Sequence, residues 1–139
     1  MEITVAAQIQ APLEAVWEAW TTPSVIQQWN SGAFDWFCPK AEVDLHEGGT
    51  FYYRIERLDG SEVLDFSGVF RRLKLLRLIE IAFSDGRRLS IHFHENSAGT
   101  EVRSNIELCQ EECFEHQAQN YKHLMSYFKK IVETNRLLS

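Results

Sequence analysis

The last quarter of the chain carries the pattern that most limits its fold. Phe114, Ala118, Tyr121, Met125, Phe128 and Val132 recur at helical spacing, and Leu124 and Ile131 widen the stripe. Residues 111–136 are predicted to form one long amphipathic helix. Glu111, Glu112 and Glu115 stand at its start and Lys129, Lys130 and Arg136 near its end, as the helix dipole favours. A stripe this long must lie on a large apolar surface, which the rest of the chain has to supply.

That surface reads as a sheet. Between residues 41 and 108, turn signals recur at Glu47-Gly48-Gly49, Asp59-Gly60, Asp85-Gly86 and Asn96-Ser97-Ala98-Gly99. Between them, alternation gives each strand one apolar face: Phe51, Tyr53, Ile55; Phe66, Gly68, Phe70; Ile79, Ile81, Phe83; Leu89, Ile91, Phe93; Val102, Ser104, Ile106. Short turns make neighbouring strands antiparallel. Gly68 among large residues predicts a bend or a close approach. A further strand, residues 2–10, turns Ile3, Val5, Ala7 and Ile9 to one side.

The segment from Ala11 to Trp29 holds three of the four tryptophans in two short helical phrases. Pro12 suits a first turn, and Leu13, Val16, Trp17 and Trp20 make one stripe. Thr22 and Pro23 open the second phrase, with Val25, Ile26 and Trp29 as its stripe. Residues 33–40, with Phe34, Trp36 and Phe37, read as an aromatic loop that closes over a core or forms a lid. The fold class expected is α+β: a curved antiparallel sheet of six to seven strands wrapped around a long C-terminal helix, with two short helices after the first strand. Residues 1–139 are expected to be a single domain.

A net charge of −6, with fourteen basic against twenty acidic residues, argues against nucleic acid as a partner. No apolar run is long enough for a membrane span. The alternating pattern starts at the first residues, so no signal peptide is expected, and three cysteines suggest reduced thiols and a cytoplasmic location.

Chemistry-bearing patterns are sparse. His92 and His94 share one strand face, opposite Leu89, Ile91 and Phe93, so they are expected on the wet side. Cys109, Cys113 and His116 have spacings a metal can use, yet the commoner reading is structural. Glu80 interrupts an apolar strand and either faces water or points inward as a candidate acid or base. No phosphate loop, nucleophile elbow or zinc-protease motif is present, so no cofactor, metal or catalytic residue is assigned.

The residues as an ordered set resemble the START-like, helix-grip (SRPBCC) superfamily, in the branch named after activators of the heat-shock protein 90 ATPase. The matching phrases are Ala11-Pro12, Val16-Trp17-Glu18-Ala19-Trp20, Thr22-Pro23, Gln28-Trp29, Glu42-Val43-Asp44-Leu45, Gly48-Gly49, Phe51-Tyr52-Tyr53-Arg54 and Gly68-Val69-Phe70. The chain departs from the branch at the last helix, where Glu115-His116-Gln117-Ala118-Gln119-Asn120 stands in place of a Gly-Trp pair. The resemblance implies a helix-grip fold, with a small hydrophobic ligand or a chaperone as partner. Cyclase or hydrolase activity on a hydrophobic substrate is the enzymatic alternative.

The expected ligand-binding residues are Trp20, Trp29, Phe34, Trp36, Phe51, Tyr53, Phe66, Phe70, Tyr121, Met125 and Phe128. They would line a cavity between the curved sheet and the C-terminal helix. Tyr53 and Tyr121 would supply the few polar contacts.

Overall fold

The computed structural model describes residues 1–31, 35–109 and 114–138, the side chains of Phe114 and Leu138 excepted. The chain runs β1 (Glu2–Ile9), α1 (Leu13–Thr21), α2 (Pro23–Trp29), β2 (Trp36–Val43), β3 (Thr50–Arg57), β4 (Val63–Lys74), β5 (Leu78–Phe83), β6 (Arg88–Asn96), β7 (Gly99–Glu107) and α3 (Phe114–Leu138). The seven strands form one antiparallel sheet in the order β1-β7-β6-β5-β4-β3-β2. Its two edge strands are therefore the ones that flank the short helices in sequence.

Period-two alternation decides which face is covered. Val5, Ile9, Phe51, Phe70, Ile79, Ile81, Leu89, Ile91, Phe93, Val102 and Ile106 are buried in one core, and Ile55 is buried on the same face of β3. The intervening His92, His94 and Arg103 are exposed. Gly68 sits opposite Phe51 and Phe83. A Cβ there would collide with the Ala82 carbonyl oxygen and come within 2.8 Å of the Phe51 ring, so glycine is what lets that ring lie flat across the strand.

One element departs from the sequence expectation, and one turn carries none of the usual turn residues. Residues 36–40, expected in a loop, belong to β2, with an irregularity in pairing between Phe37 and Lys40. The run from Leu73 to Phe83 contains a turn, closed by the Arg77 N–H on the Lys74 carbonyl at 2.9 Å. No glycine, proline or asparagine marks it. Leu76 takes φ +64°, a conformation that costs a non-glycine residue about 1–2 kcal/mol. Its side chain packs on the core, and that burial offsets the cost.

The short helices close the curl. Pro12 occupies the cap position of α1 and has no side-chain oxygen to offer. Glu95, from the end of β6, accepts the Leu13 N–H at 3.3 Å instead. The Gln27 side chain of α2 donates to the Pro39 carbonyl at 2.8 Å and so fastens α2 to edge strand β2. α3 lies beside the other edge, β1. Lys129 Nζ donates to the Gln8 carbonyl at 2.5 Å and to Glu133 at 2.7 Å; Glu133 accepts the Gln10 N–H at 2.8 Å; Arg136 donates to the Gln10 carbonyl at 2.6 Å. At the other end of the helix, the Gln117 amide accepts from the Cys109 N–H and donates to the Cys109 carbonyl, at 2.7 and 2.8 Å.

The clasp on β1 titrates. Burial by itself pushes the Glu133 carboxyl up, but the hydrogen bonds from Lys129 and the Gln10 N–H, with the Lys129 charge, hold it below its usual 4.5. A folded-state value below the unfolded one means stability present above pH 4.5 and lost as pH falls through the folded value. Glu133→Gln is expected to cost about 1–2 kcal/mol at pH 7, the usual worth of charge-assisted hydrogen bonds. The gap from the parent chain should shrink as pH falls below 4.5. Urea unfolding of both chains from pH 7 to 3 measures it, and a gap independent of pH would contradict the clasp.

Candidate functional site

The space between the sheet and α3 is closed at one end by aromatic rings. Trp20 of α1, Trp29 of α2 and Phe128 of α3 contact one another with centroids 4.7–4.9 Å apart. Their tilted and edge-on geometries suit the ring quadrupoles. Trp29 Nε1 donates to the Ala19 carbonyl at 2.8 Å, which satisfies the indole without water. Trp17 stands edge-on to Phe93, 5.1 Å away, and ties α1 to β6. Phe128 and Met125 are fully buried. Three of the expected ligand-binding residues, Trp20, Trp29 and Phe128, thus form one tightly packed group.

A second aromatic group lines the inner face of β3, β4 and β5. Phe51 contacts Tyr53, Phe70 and Phe83 at 5.2, 5.6 and 5.7 Å. Phe51 and Phe70 are buried, whereas Tyr53, Phe66 and Phe83 are only half-buried. Phe66 lies opposite Tyr53. On α3, Leu124, Tyr127 and Ile131 form a second stripe beside the core stripe, and these too are half-buried. Their flank is the one turned away from β1, because Lys122, Ser126 and Lys129 occupy the β1 side. Apolar lining therefore continues from the core towards solvent at this end. Trp36 extends it on β2, opposite Arg57, whose guanidinium stacks on the indole at 4.8 Å.

Few polar atoms enter this interior. Thr100 and Ser104 are fully buried; the Thr100 hydroxyl donates to the Ala11 carbonyl at 2.9 Å. The Ser104 hydroxyl points at the Met125 sulfur, 3.8 Å away. Burial raises the Tyr121 phenol, and the Ser104 hydroxyl beside it, in a contact too loose to make a full hydrogen bond, lowers it in part. No acceptor or donor completes a hydrogen bond with the Tyr121 hydroxyl, the one such buried side-chain atom among the described residues. Burial, and then proximity to the Cys38 thiol, raises the Tyr53 phenol. Both phenols are held as neutral donors well above neutral pH.

Two open depressions have defined linings. One, of about 500 Å³, lies along the sheet among Arg72, Glu80, Arg88, Ser90 and Asn105. The other, of about 560 Å³, runs between β1 and α3 over Val5, Ala7 and Met125, rimmed by Gln8, Lys122 and Lys129. Of the eleven residues expected to bind a ligand, Met125 alone borders either one.

Phe34 and Cys113 fall outside the described residues, as do Glu111 and Glu112. Glu80 faces outward, since Ile79 and Ile81 take the inner positions; it lies opposite Arg72, 3.8 Å from its guanidinium, and is no interior acid or base. His92 and His94 are exposed on the outer face as expected, and His116 is exposed on α3. Among the described residues no group of three or more His, Cys, Asp or Glu is arranged to hold a metal. Cys38 and Cys109 are free thiols. Phe83 and Ser104 join the site without having been named for it. Alternation already turns both inward, but nothing in the sequence sets Tyr121 over Ser104.

A seven-stranded antiparallel sheet curled around a terminal helix, with two short helices after its first strand, defines a START-like helix-grip protein. The profile of the Activator of Hsp90 ATPase homolog 1-like proteins matches residues 10–135, and the chain belongs to that family. The AHSA1-like protein of Aeromonas hydrophila is 31% identical, with 99% of this chain and 95% of that one aligned at a TM-score of 0.93. A Cytophaga hutchinsonii protein is 32% identical over 96% of this chain and 93% of its own, with a TM-score of 0.83. A Chromobacterium violaceum protein shares the fold at 19% identity, covering 96% and 98%, with a TM-score of 0.86. No curated protein matches the sequence.

The two aromatic groups should respond differently to truncation. Phe128→Ala removes a fully buried ring and is expected to cost about 3–5 kcal/mol. Phe66→Ala removes a half-buried one and is expected to cost about 1 kcal/mol. Urea unfolding followed by tryptophan fluorescence measures both, and equal costs would contradict the division into a packed end and an open end.

Proposed function

We propose that the chain, acting as one helix-grip unit, binds a small hydrophobic or amphipathic ligand between the inner face of the sheet and α3. The observation that carries this reading is the run of half-buried apolar side chains on both walls of the open end: Tyr53, Phe66 and Phe83 on the sheet, Leu124, Tyr127 and Ile131 on α3. A side chain that only fills a core is normally withdrawn from water altogether. Apolar side chains left partly exposed beside an apolar interior gain free energy when a guest covers them. Proteins of this fold commonly bind hydrophobic ligands, which agrees with the reading. Among the described residues no helix is long and apolar enough to cross a membrane, and the free thiols fit a reducing, cytoplasmic setting.

Catalysis finds little support. The inner strand faces carry no Asp or His among the described residues, and the Glu there, Glu95, caps α1 at a strand end. A second reading, a chaperone-associated module, draws on the family's name and on exposed Phe37, Leu58, Val63 and Leu64 around the β2–β3–β4 end. If that reading is right, stimulation of a heat-shock protein 90 ATPase should fall when Leu58 and Val63 are both changed to Ser.

The ligand reading is tested by thermal shift against fatty acids, sterols, aromatic polyketides and flavonoids. A ligand at about a hundred times its Kd adds roughly 2.7 kcal/mol, or several degrees in Tm for a domain of this size. The expected outcome is a shift with at least one class that Leu124→Trp abolishes by narrowing the mouth. No shift with any class would contradict ligand binding.

A further inference from the structure

We infer that the ligand is electrically neutral and carries a hydrogen-bond acceptor, a ketone, ester or lactone carbonyl, that docks on the Tyr121 hydroxyl deep in the grip. This inference rests on the ligand-binding reading above and adds the chemical class of the ligand.

The observation is an imbalance of hydrogen bonds. Buried hydroxyls are normally paired, because an unpaired one forfeits its hydration without return. Thr100 and the Trp29 indole follow that rule, each donating to a backbone carbonyl. Tyr121 does not: its residue is only 8% exposed and its hydroxyl has no partner. Ser104, the nearest polar neighbour, turns its hydroxyl to the Met125 sulfur. The phenol is thus a buried donor whose only polar company is the loosely placed Ser104 hydroxyl.

The charge of that acceptor follows from what surrounds it. The inner faces of β1, β6 and β7 carry Val5, Ala7, Leu89, Ile91, Phe93, Val102 and Ile106, with Thr100 and Ser104 as their fully buried polar residues. The cations nearest the open end are already neutralised. Arg57 contacts Asp35 at 2.7 Å and Glu62 at 3.2 Å, and Arg87 contacts Asp85 at 2.9 Å. On α3, Lys129 is held by Glu133 and the Gln8 carbonyl. A carboxylate drawn in as far as Tyr121 would lose its hydration and meet the Tyr121 and Ser104 hydroxyls but, among the described residues, no buried cation, a large penalty. A carbonyl oxygen needs only the one donor that is there.

The test compares ligands with the same chain and different heads: decane, 2-undecanone, methyl decanoate and decanoate at pH 8. Binding is read by tryptophan fluorescence and thermal shift on the full chain and on Tyr121→Phe. Expected are ketone and ester binding at least tenfold tighter than decanoate, and about three- to tenfold tighter than decane. In Tyr121→Phe the advantage over decane should vanish while decane itself is unaffected. The ligand-free variant should melt no lower than the parent, because it sheds an unpaired hydroxyl. Decanoate binding as tightly as the ester would overturn the proposal. So would an unchanged ketone preference in Tyr121→Phe, or a variant melting several degrees lower, which would show the hydroxyl to be bonded in the free protein. If decane and the ketone both bind but equally, this inference fails and the ligand-binding reading stands; if no probe binds, both fail.

Discussion

Three rings hold the architecture together. Trp20, Trp29 and Phe128 come from three different helices, and their mutual contact fixes α1, α2 and α3 to one point. Within the group, the Trp29 indole N–H is satisfied by the Ala19 carbonyl. Because α2 is also stitched to β2 and α3 to β1, this single contact joins both edges of the sheet. An open seven-stranded sheet would otherwise present two unprotected edges; here each has a helix beside it.

From that seat follows an asymmetry. The C-terminal half of α3 is held by the rings, by the Lys129–Glu133–Arg136 clasp, and by a hydrogen bond between Asn135 and Gln28. The half that begins at Phe114 has the Gln117 bonds at its start and then Tyr121, with an unpaired hydroxyl, and Leu124, half in water. The helix is thus clasped near its C-terminal end, and the half-buried flank of Leu124, Tyr127 and Ile131 beside its core stripe is where the proposed guest would lie.

Much of this was legible in the sequence. The stripe from Ala118 to Val132 required a sheet beneath it, alternation named the inner faces, and Asp-Gly pairs marked turns. The turn at Leu75–Arg77 was not legible, because its left-handed residue is a leucine held there by packing. The start of β2 was hidden because an edge strand that meets α2 on one side has no clean alternation. Depth was the larger gap. Phe128 and Phe66 look alike in the sequence, and only the ring contacts separate a residue that fills the core from one that borders an opening. Glu80 shows the converse: between two isoleucines it invites an interior reading, and the pairing with Arg72 on the outer face removes it.

With these bonds concentrated near its C-terminal end, α3 should be locked along its second half and yield along its first. Native-state amide hydrogen exchange along α3 tests it most directly. Amides from Ser126 to Glu133 should exchange only through global unfolding, together with those of β1 and β7. Amides from Ala118 to Leu124 should exchange through a smaller opening of lower free energy. Uniform protection along the helix, or slower exchange in its first half than in its second, would contradict it.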